Sequence, residues 1–251
     1  MTKRIYAVID TETATLTGEV FDFGMVICDK EGKELARYDS IIKEVFENVQ
    51  MMKKAFYFKK VDSFYKPNIR CNRMDVKSWA VICHDVNKLM KNHGVTTICA
   101  YNLAFDSRVI SNTGRKYGGF MAIGKREQLD LWRVSCETLL QQRTFKKWCK
   151  LMGHVSPAGN YKTNAEVAYK YGIGDWEFQE SHTALDDALI EKELLVRLLG
   201  LGKKINYGII SHPWRLIQDK EEIILNEEKL KKIKDKIRLG KNVTLNEVKF
   251  L

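Results

Sequence analysis

Two carboxylates one residue apart, Asp10 and Glu12, close the apolar run Ile5–Ile9 in "IYAVIDTET". A run of that length reads as a central strand, yet Asp and Glu are poor strand residues. Side chains at i and i+2 of a strand share a face, so the two carboxylates project side by side. Like charges that close repel, and burial strengthens the repulsion. A cation between them removes it. The competing reading is a turn or helix cap, since "DTETATLTG" is rich in capping residues.

Two further acids fall where such a cation would need them. In "AYNLAFD" (100–106) a strand passes into a helix, and sites in open α/β sheets form at the carboxyl ends of strands. Asp106 sits in the first helical turn, where the dipole favours an acid, and Asn102 stands at the N-cap position. In "SHTALDD" (181–187) two aspartates are adjacent. The helical row Ala184, Asp187, Glu191, Leu194, Leu198 turns apolar toward its end, whereas the row Asp186, Ile190, Glu193, Arg197 is mostly charged. Asp187 therefore faces inward. Asp186 is the N3 partner of a Thr183 cap, a variant of the capping box. His182 lies on the loop just before that helix, where an imidazole can titrate and move.

The elements that position these residues follow from periodicity. Residues 5–9 form a strand, and 21–29 and 34–42 form a hairpin turning at "EGK". Residues 75–94, 103–118, 133–152, 163–171 and 181–200 read as helices, and 95–102 and 127–132 as strands. A hairpin followed by alternating helix and strand indicates an α/β fold with a mixed sheet. Beyond 200, "HPW" (212–214) breaks structure. Ile223, Leu230, Ile233 and Ile237 then mark an amphipathic helix, and "TLNE" (244–247) caps a last turn.

The chain has 251 residues, 45% of them hydrophobic, which is enough for a sizeable core. No apolar run approaches membrane-spanning length and no signal-peptide pattern precedes Asp10, so the expectation is a soluble, cytoplasmic protein without membrane contact. The six cysteines include no C-x-x-C pair, so neither a zinc knuckle nor a redox motif is indicated. A formal net charge of +10 points to a polyanionic partner, nucleic acid first. The base-rich stretch 50–77 sets Lys53, Lys54, Lys59, Lys60 and four further bases against Asp62 and Asp75. Phe56, Tyr57, Phe58, Phe64 and Tyr65 are interleaved. Cations for phosphates and rings for bases are what a single strand asks of a surface.

Together, "DTET", "NLAFD" and "HTALDD", in this order over residues 4–200, resemble the three motifs of the DEDDh, or DnaQ-like, 3′–5′ exonuclease family. The resemblance implies a ribonuclease H-like fold: a mixed five-stranded sheet flanked by helices, here with a mostly helical C-terminal extension. It implies an exonuclease domain at 1–200, with 43–77 as a basic, aromatic insertion and 201–251 as the extension. Its metal-binding carboxylates map onto Asp10, Glu12, Asp106 and Asp187, and its general base, five residues before the last Asp, onto His182. That spacing selects Asp187 over Asp186, as the helix face does. Two divalent ions are implied, Mg²⁺ with Mn²⁺ able to substitute, a chemistry that suits hard oxygen ligands.

The implied reaction is hydrolysis of single-stranded DNA from its 3′ end, releasing nucleoside 5′-monophosphates. Thr13 and Ala14 map to where family members meet the terminal nucleotide. Asn102 and Phe105 join them as substrate-binding residues, and Lys53, Lys54, Lys59 and Lys60 supply phosphate contacts. The long 43–77 stretch and residues 201–251 depart from the minimal family pattern and are expected to tune substrate, processivity or partners, with 201–251 the segment for a protein partner or self-association. The same motifs serve an RNA-trimming exonuclease or hydrolysis of a small nucleotide. A non-catalytic nucleic-acid-binding or partner-recruiting protein is the rival from another class.

Overall fold

The computed structural model describes residues 4–16, 18–55, 57–217 and 223–251. Phe56, one of the rings in the basic stretch, lies outside the described residues. Strand β1 (Ile5–Thr13) is followed by β2 (Val20–Asp29) and β3 (Glu34–Ile42). The β2–β3 turn closes on the Asp29 carboxylate, which accepts the N–H groups of Glu31 and Lys33. Gly32 supplies the positive φ of 82° that the turn requires.

Short helices α1 (Lys43–Phe46) and α2 (Val49–Met52), a π-helical turn at Val61–Tyr65 and α3 (Lys66–Arg70) fill the segment after β3. Strand β4 (Val76–Lys77), α4 (Trp79–Asn92), β5 (Thr97–Ala100), α5 (Leu103–Tyr117) and β6 (Glu127–Asp130) follow. Helices α6 (Leu131–Glu137), α7 (Arg143–Met152), α8 (Ala165–Ile173) and α9 (Ala184–Leu199) come next. The last are α10 (Glu227–Arg238) and α11 (Leu245–Lys249).

The sheet order is β4-β3-β2-β1-β5-β6. β1 pairs antiparallel with β2 and parallel with β5, so the acids of its second half stand in the middle of the sheet. The sheet has six strands where five were expected. The extra one is β4, two residues parallel to β3 at Ile41 and Ile42. It lies in the stretch read as the start of the 75–94 helix. That helix begins only at Trp79, whose N–H is accepted by Glu44 Oε2 at 3.1 Å. The helix expected over 133–152 is two helices, α6 and α7. The Thr138 hydroxyl and the Leu140 N–H bond back to Val134 and Ser135 and close the first of them.

Contacts divide the chain into two compact units. The first comprises Met1–Leu131, Glu180–Val196 and Asn206–Ile209. Its core includes the apolar stripe Trp79, Ile82, Val86 and Met90 of α4, all fully buried. Each such side chain contributes about 1.5–3 kcal/mol by leaving water. α5 is tied to the sheet by Thr113, whose hydroxyl accepts the Val20 N–H at 2.9 Å.

The second unit comprises Trp132–Gln179, Arg197–Ile205 and Ile210–Leu251. Phe145, Trp148 and Tyr171 form its aromatic centre, with Phe145 meeting Tyr171 edge-on at 5.1 Å. Ile233 of α10 and Val248 of α11 are buried there. Thr244 and Glu247 form the expected capping box on α11. All six thiols are free and only Cys71 is exposed. Among the described residues, no helix is long and apolar enough to cross a membrane.

Candidate active site

Three elements of the first unit bring carboxylates together. β1 continues through Thr13, so Asp10 and Glu12 lie within the strand and share a face. Asp10 is opposite Gly24 on β2 and Glu12 opposite Asp22. α5 supplies Asp106 from its first turn. This side chain is buried and accepts the Thr11 hydroxyl at 2.8 Å. α9 supplies Asp187 from its first turn, buried, while Asp186 is exposed and accepts the hydroxyls of Thr183 and Ser181. A ring nitrogen of His182 and carboxylate oxygens of Glu12 and Asp187 lie within 4.8 Å of one another.

The close approach of α9 to the sheet depends on one glycine. A Cβ on Gly24 would stand 2.3 Å from the Ala184 carbonyl carbon. No side chain can occupy that space, so the helix bearing Asp187 can lie on β2 only at this position. Asp22, two residues earlier and fully buried, accepts the Ala184 N–H at 3.1 Å and the Tyr65 hydroxyl at 2.9 Å. It satisfies the start of α9.

The β5–α5 turn is held with equal care. Asn102 adopts a left-handed backbone, φ 69°, and its side chain makes no capping bond, contrary to the ordinary N-cap role. Its N–H is accepted by Asp130 Oδ1 at 3.1 Å, and the Tyr101 N–H by Glu191 Oε2 at 2.9 Å. Glu191 is a further buried acid, beside Asp10, that motif reasoning left without a role. Its signal was present: it lies one turn after Asp187 on a row that is otherwise apolar.

This gathering of acids without a cation is electrostatically costly. Burial first, then Asp106 and Glu191, pushes Asp10 well above the usual carboxylate range. Burial and Asp187 push Glu12 to about 8. Asp106 rises to about 7 through burial, against the Thr11 hydrogen bond that lowers it. Asp187 rises to about 7 through burial and the Glu180 charge. Burial and Asp106 likewise raise Glu191 well above its ordinary value.

Asp187 Oδ1 is buried with no hydrogen-bond partner, as is Oδ1 of the neighbouring Asp22. An orphaned buried oxygen among repelling carboxylates is the donor set that a hard divalent cation satisfies. Glu12 and Asp187, with His182, have ligand atoms close enough together to share such an ion, and Asp10 and Asp106 stand near enough to feel the same charges.

A cavity of ≈ 240 Å³ borders Glu12, and its walls include Thr13, Leu16, Tyr57 and Phe105. Arg108 caps one side, stacking its guanidinium over Phe105 at 5.4 Å and donating to the Leu16 carbonyl. Ala14 is buried behind it, its N–H bonded to Glu19 O. Lys53, Lys54 and Lys59 are exposed. Lys60 is turned inward and donates to the carbonyls of Ser181 and His182. His182 Nδ1 lies 3.7 Å from Glu180 Oε2.

No family model and no curated protein matches the chain. Solved structures do. One, "Crystal structure of cell-death related nuclease 4 (CRN-4)", is 16% identical, with a TM-score of 0.52 over 94% of this chain and 77% of that one. Another, "Exonuclease X in complex with 5′ overhanging duplex DNA", is 15% identical, with a TM-score of 0.42 over 80% of this chain and 95% of that one. At such identities the likeness concerns the fold. The chain has an α/β fold of the ribonuclease H-like kind, a mixed six-stranded sheet with flanking helices.

Proposed function

We propose that this chain is a metal-dependent 3′–5′ exonuclease acting on single-stranded DNA ends. The observation that carries the reading is the acid cluster itself: Glu12 and Asp187 with a His182 nitrogen within 4.8 Å, an orphaned Asp187 oxygen, and Asp10 and Asp106 beside them. Acids crowded so closely must either keep protons or share a cation, and a cleft that gathers them is where a divalent ion is bound.

In this reading the four carboxylates hold two divalent ions, Mg²⁺ or Mn²⁺. When bound, the ions activate water and neutralise the charge that grows on the phosphate. The chain's own groups do the rest. The 3′-terminal nucleotide enters the cavity beside Glu12, whose volume of ≈ 240 Å³ suits one nucleotide. Leu16 and Phe105 give its base apolar walls, and Thr13 lies at its sugar, whereas Ala14, buried with its N–H on Glu19 O, does not reach the cavity.

His182 takes the proton from the attacking water. The Glu180 carboxylate beside Nδ1 favours the imidazolium that forms. The new P–O bond forms as the bond to the 3′ oxygen of the preceding nucleotide breaks, releasing a nucleoside 5′-monophosphate. Lys53, Lys54 and Lys59, all exposed, guide the strand's phosphates.

A time course with 5′-labelled single-stranded DNA and the matching RNA, in Mg²⁺, Mn²⁺ or EDTA, tests the reading. A metal-dependent ladder shortening from the 3′ end, faster on DNA, is expected. Faster loss of RNA would reassign the substrate. Preference for di- and trinucleotides would point to a small-nucleotide hydrolase. Salt-sensitive binding without cleavage would leave a binding protein.

A further inference from the structure

The segment between β3 and β4, read from the sequence as a nucleic-acid surface, reaches the His182 loop at three points. Tyr57 stacks on the imidazole, with centroids 4.5 Å apart and planes 15° from parallel. Lys60 donates from Nζ to the Ser181 carbonyl and, at 3.0 Å, to the His182 carbonyl. The same ammonium sits 5.0 Å above the Tyr57 ring. Tyr65, in the π-helical turn, bonds Asp22 Oδ2, which in turn accepts the N–H of Ala184, two residues past the histidine.

His182 needs such support. Its φ of 52° is left-handed, a conformation that a non-glycine residue holds only when its surroundings impose it. The helix starts only at Ala184, and from it the Asp187 carboxylate takes a hydrogen bond from the His182 backbone. Strained backbone together with a π-helical turn is the kind of geometry found where a side chain must be aimed.

We propose that Tyr57 and Lys60 are positioning residues for His182. Lys60 clamps the loop's carbonyls and fixes its path. Tyr57 fixes the plane of the imidazole, so that a ring nitrogen stays within 4.8 Å of oxygens of Glu12 and Asp187. The segment is then part of the catalytic apparatus rather than only a docking surface for the strand. The proposal rests on the nuclease reading, because it assigns His182 a proton to accept.

Steady-state kinetics of Tyr57→Ala, Tyr57→Phe, Lys60→Met and Lys60→Arg in the full chain with Mg²⁺ test it, beside NMR of the protein labelled in its five histidines. Lys60→Met should lower kcat by about tenfold or more while KM stays within about twofold, and Tyr57→Ala, whose ring also walls the cavity beside Glu12, should lower kcat by about tenfold or more whatever it adds to KM. Tyr57→Phe, which keeps the ring, should recover most of kcat, and Lys60→Arg part of it.

In the NMR arm, one histidine signal should move downfield in Tyr57→Ala as the ring current is lost. His182→Ala should remove that same signal. A raised KM with unchanged kcat would make Tyr57 a substrate contact and overturn the proposal. So would equal losses in Tyr57→Phe and Tyr57→Ala, or a moved histidine signal with unchanged kcat. A wild-type protein that cleaves nothing would instead overturn the nuclease reading, and the histidine signal would still report whether the stack exists.

Discussion

Replacing Asp187 by asparagine should stabilise the metal-free protein while abolishing hydrolysis. Burial and the Glu180 charge raise this carboxyl from 3.8 to about 7, and its Oδ1 has no partner. The unfolded chain releases the proton near its ordinary value, while the folded chain keeps it until about 7. Between those values the folded state binds more protons, so stability falls as pH rises, and the penalty is complete above about 7. It amounts to about 4 kcal/mol at pH 8 and about 2 kcal/mol at pH 5. The neighbouring acids share this penalty, so it is counted once.

Asparagine keeps the shape and removes the charge. In EDTA at pH 8, Asp187→Asn should therefore raise Tm by up to about 8–16 °C at this chain length, with a smaller gain at pH 5. Mg²⁺ should reverse the order by raising the wild type and leaving the variant where it was. Thermal unfolding followed by circular dichroism in the three buffers reads this directly. A lower Tm for Asp187→Asn in EDTA at pH 8, or an equal Mg²⁺ response in both proteins, would refute the electrostatic reasoning.

Asp187→Ala should abolish turnover, while Asp186→Ala, at an exposed position, keeps most of it; comparable losses in a nuclease assay would contradict the two helix faces. Gly24→Ala should cost at least about 1–3 kcal/mol in a denaturant titration, because the new Cβ meets the Ala184 carbonyl at 2.3 Å. An unchanged midpoint would mean that α9 does not lie on β2 as described. Reversing the charge of Lys53, Lys54 and Lys59 together should weaken single-stranded DNA binding and flatten its salt dependence by about two in slope, measured by anisotropy across salt. An unchanged slope would remove them from the phosphate path.

What was legible in the sequence was whatever repeats regularly along the chain. The hairpin 21–29 and 34–42 and the α5 and α9 helices carry unbroken periodicity, and their observed bounds lie within a few residues of the expected ones. The inward turn of Asp187 was readable because one helical row is apolar and the next is charged. The 43–77 segment was not readable in this way. It packs through single anchors, such as Tyr65 on Asp22 and Met52 and Val61 in the core, and such anchors leave no period. β4 is too short at two residues to register against the helix that follows.

Glu191 could have been noticed as a charge on an apolar row, but only the fold reveals that it accepts the Tyr101 N–H across 90 residues. The inward turn of Lys60 likewise depends on a carbonyl more than a hundred residues away. The grouping of 132–179 with 210–251 is a long-range arrangement that no local pattern encodes.

The central claim is that this acid cluster, with His182, hydrolyses the terminal phosphodiester of a DNA strand from its 3′ end. Digestion of single-stranded DNA in ¹⁸O-labelled water with Mg²⁺, followed by mass spectrometry of the first product, tests it most directly. The account predicts a nucleoside 5′-monophosphate carrying one ¹⁸O on its phosphate, drawn from the 3′ end and absent with EDTA or with Asp187→Asn. A 3′-phosphate product, a product drawn first from the 5′ end, or release that persists without metal would contradict it.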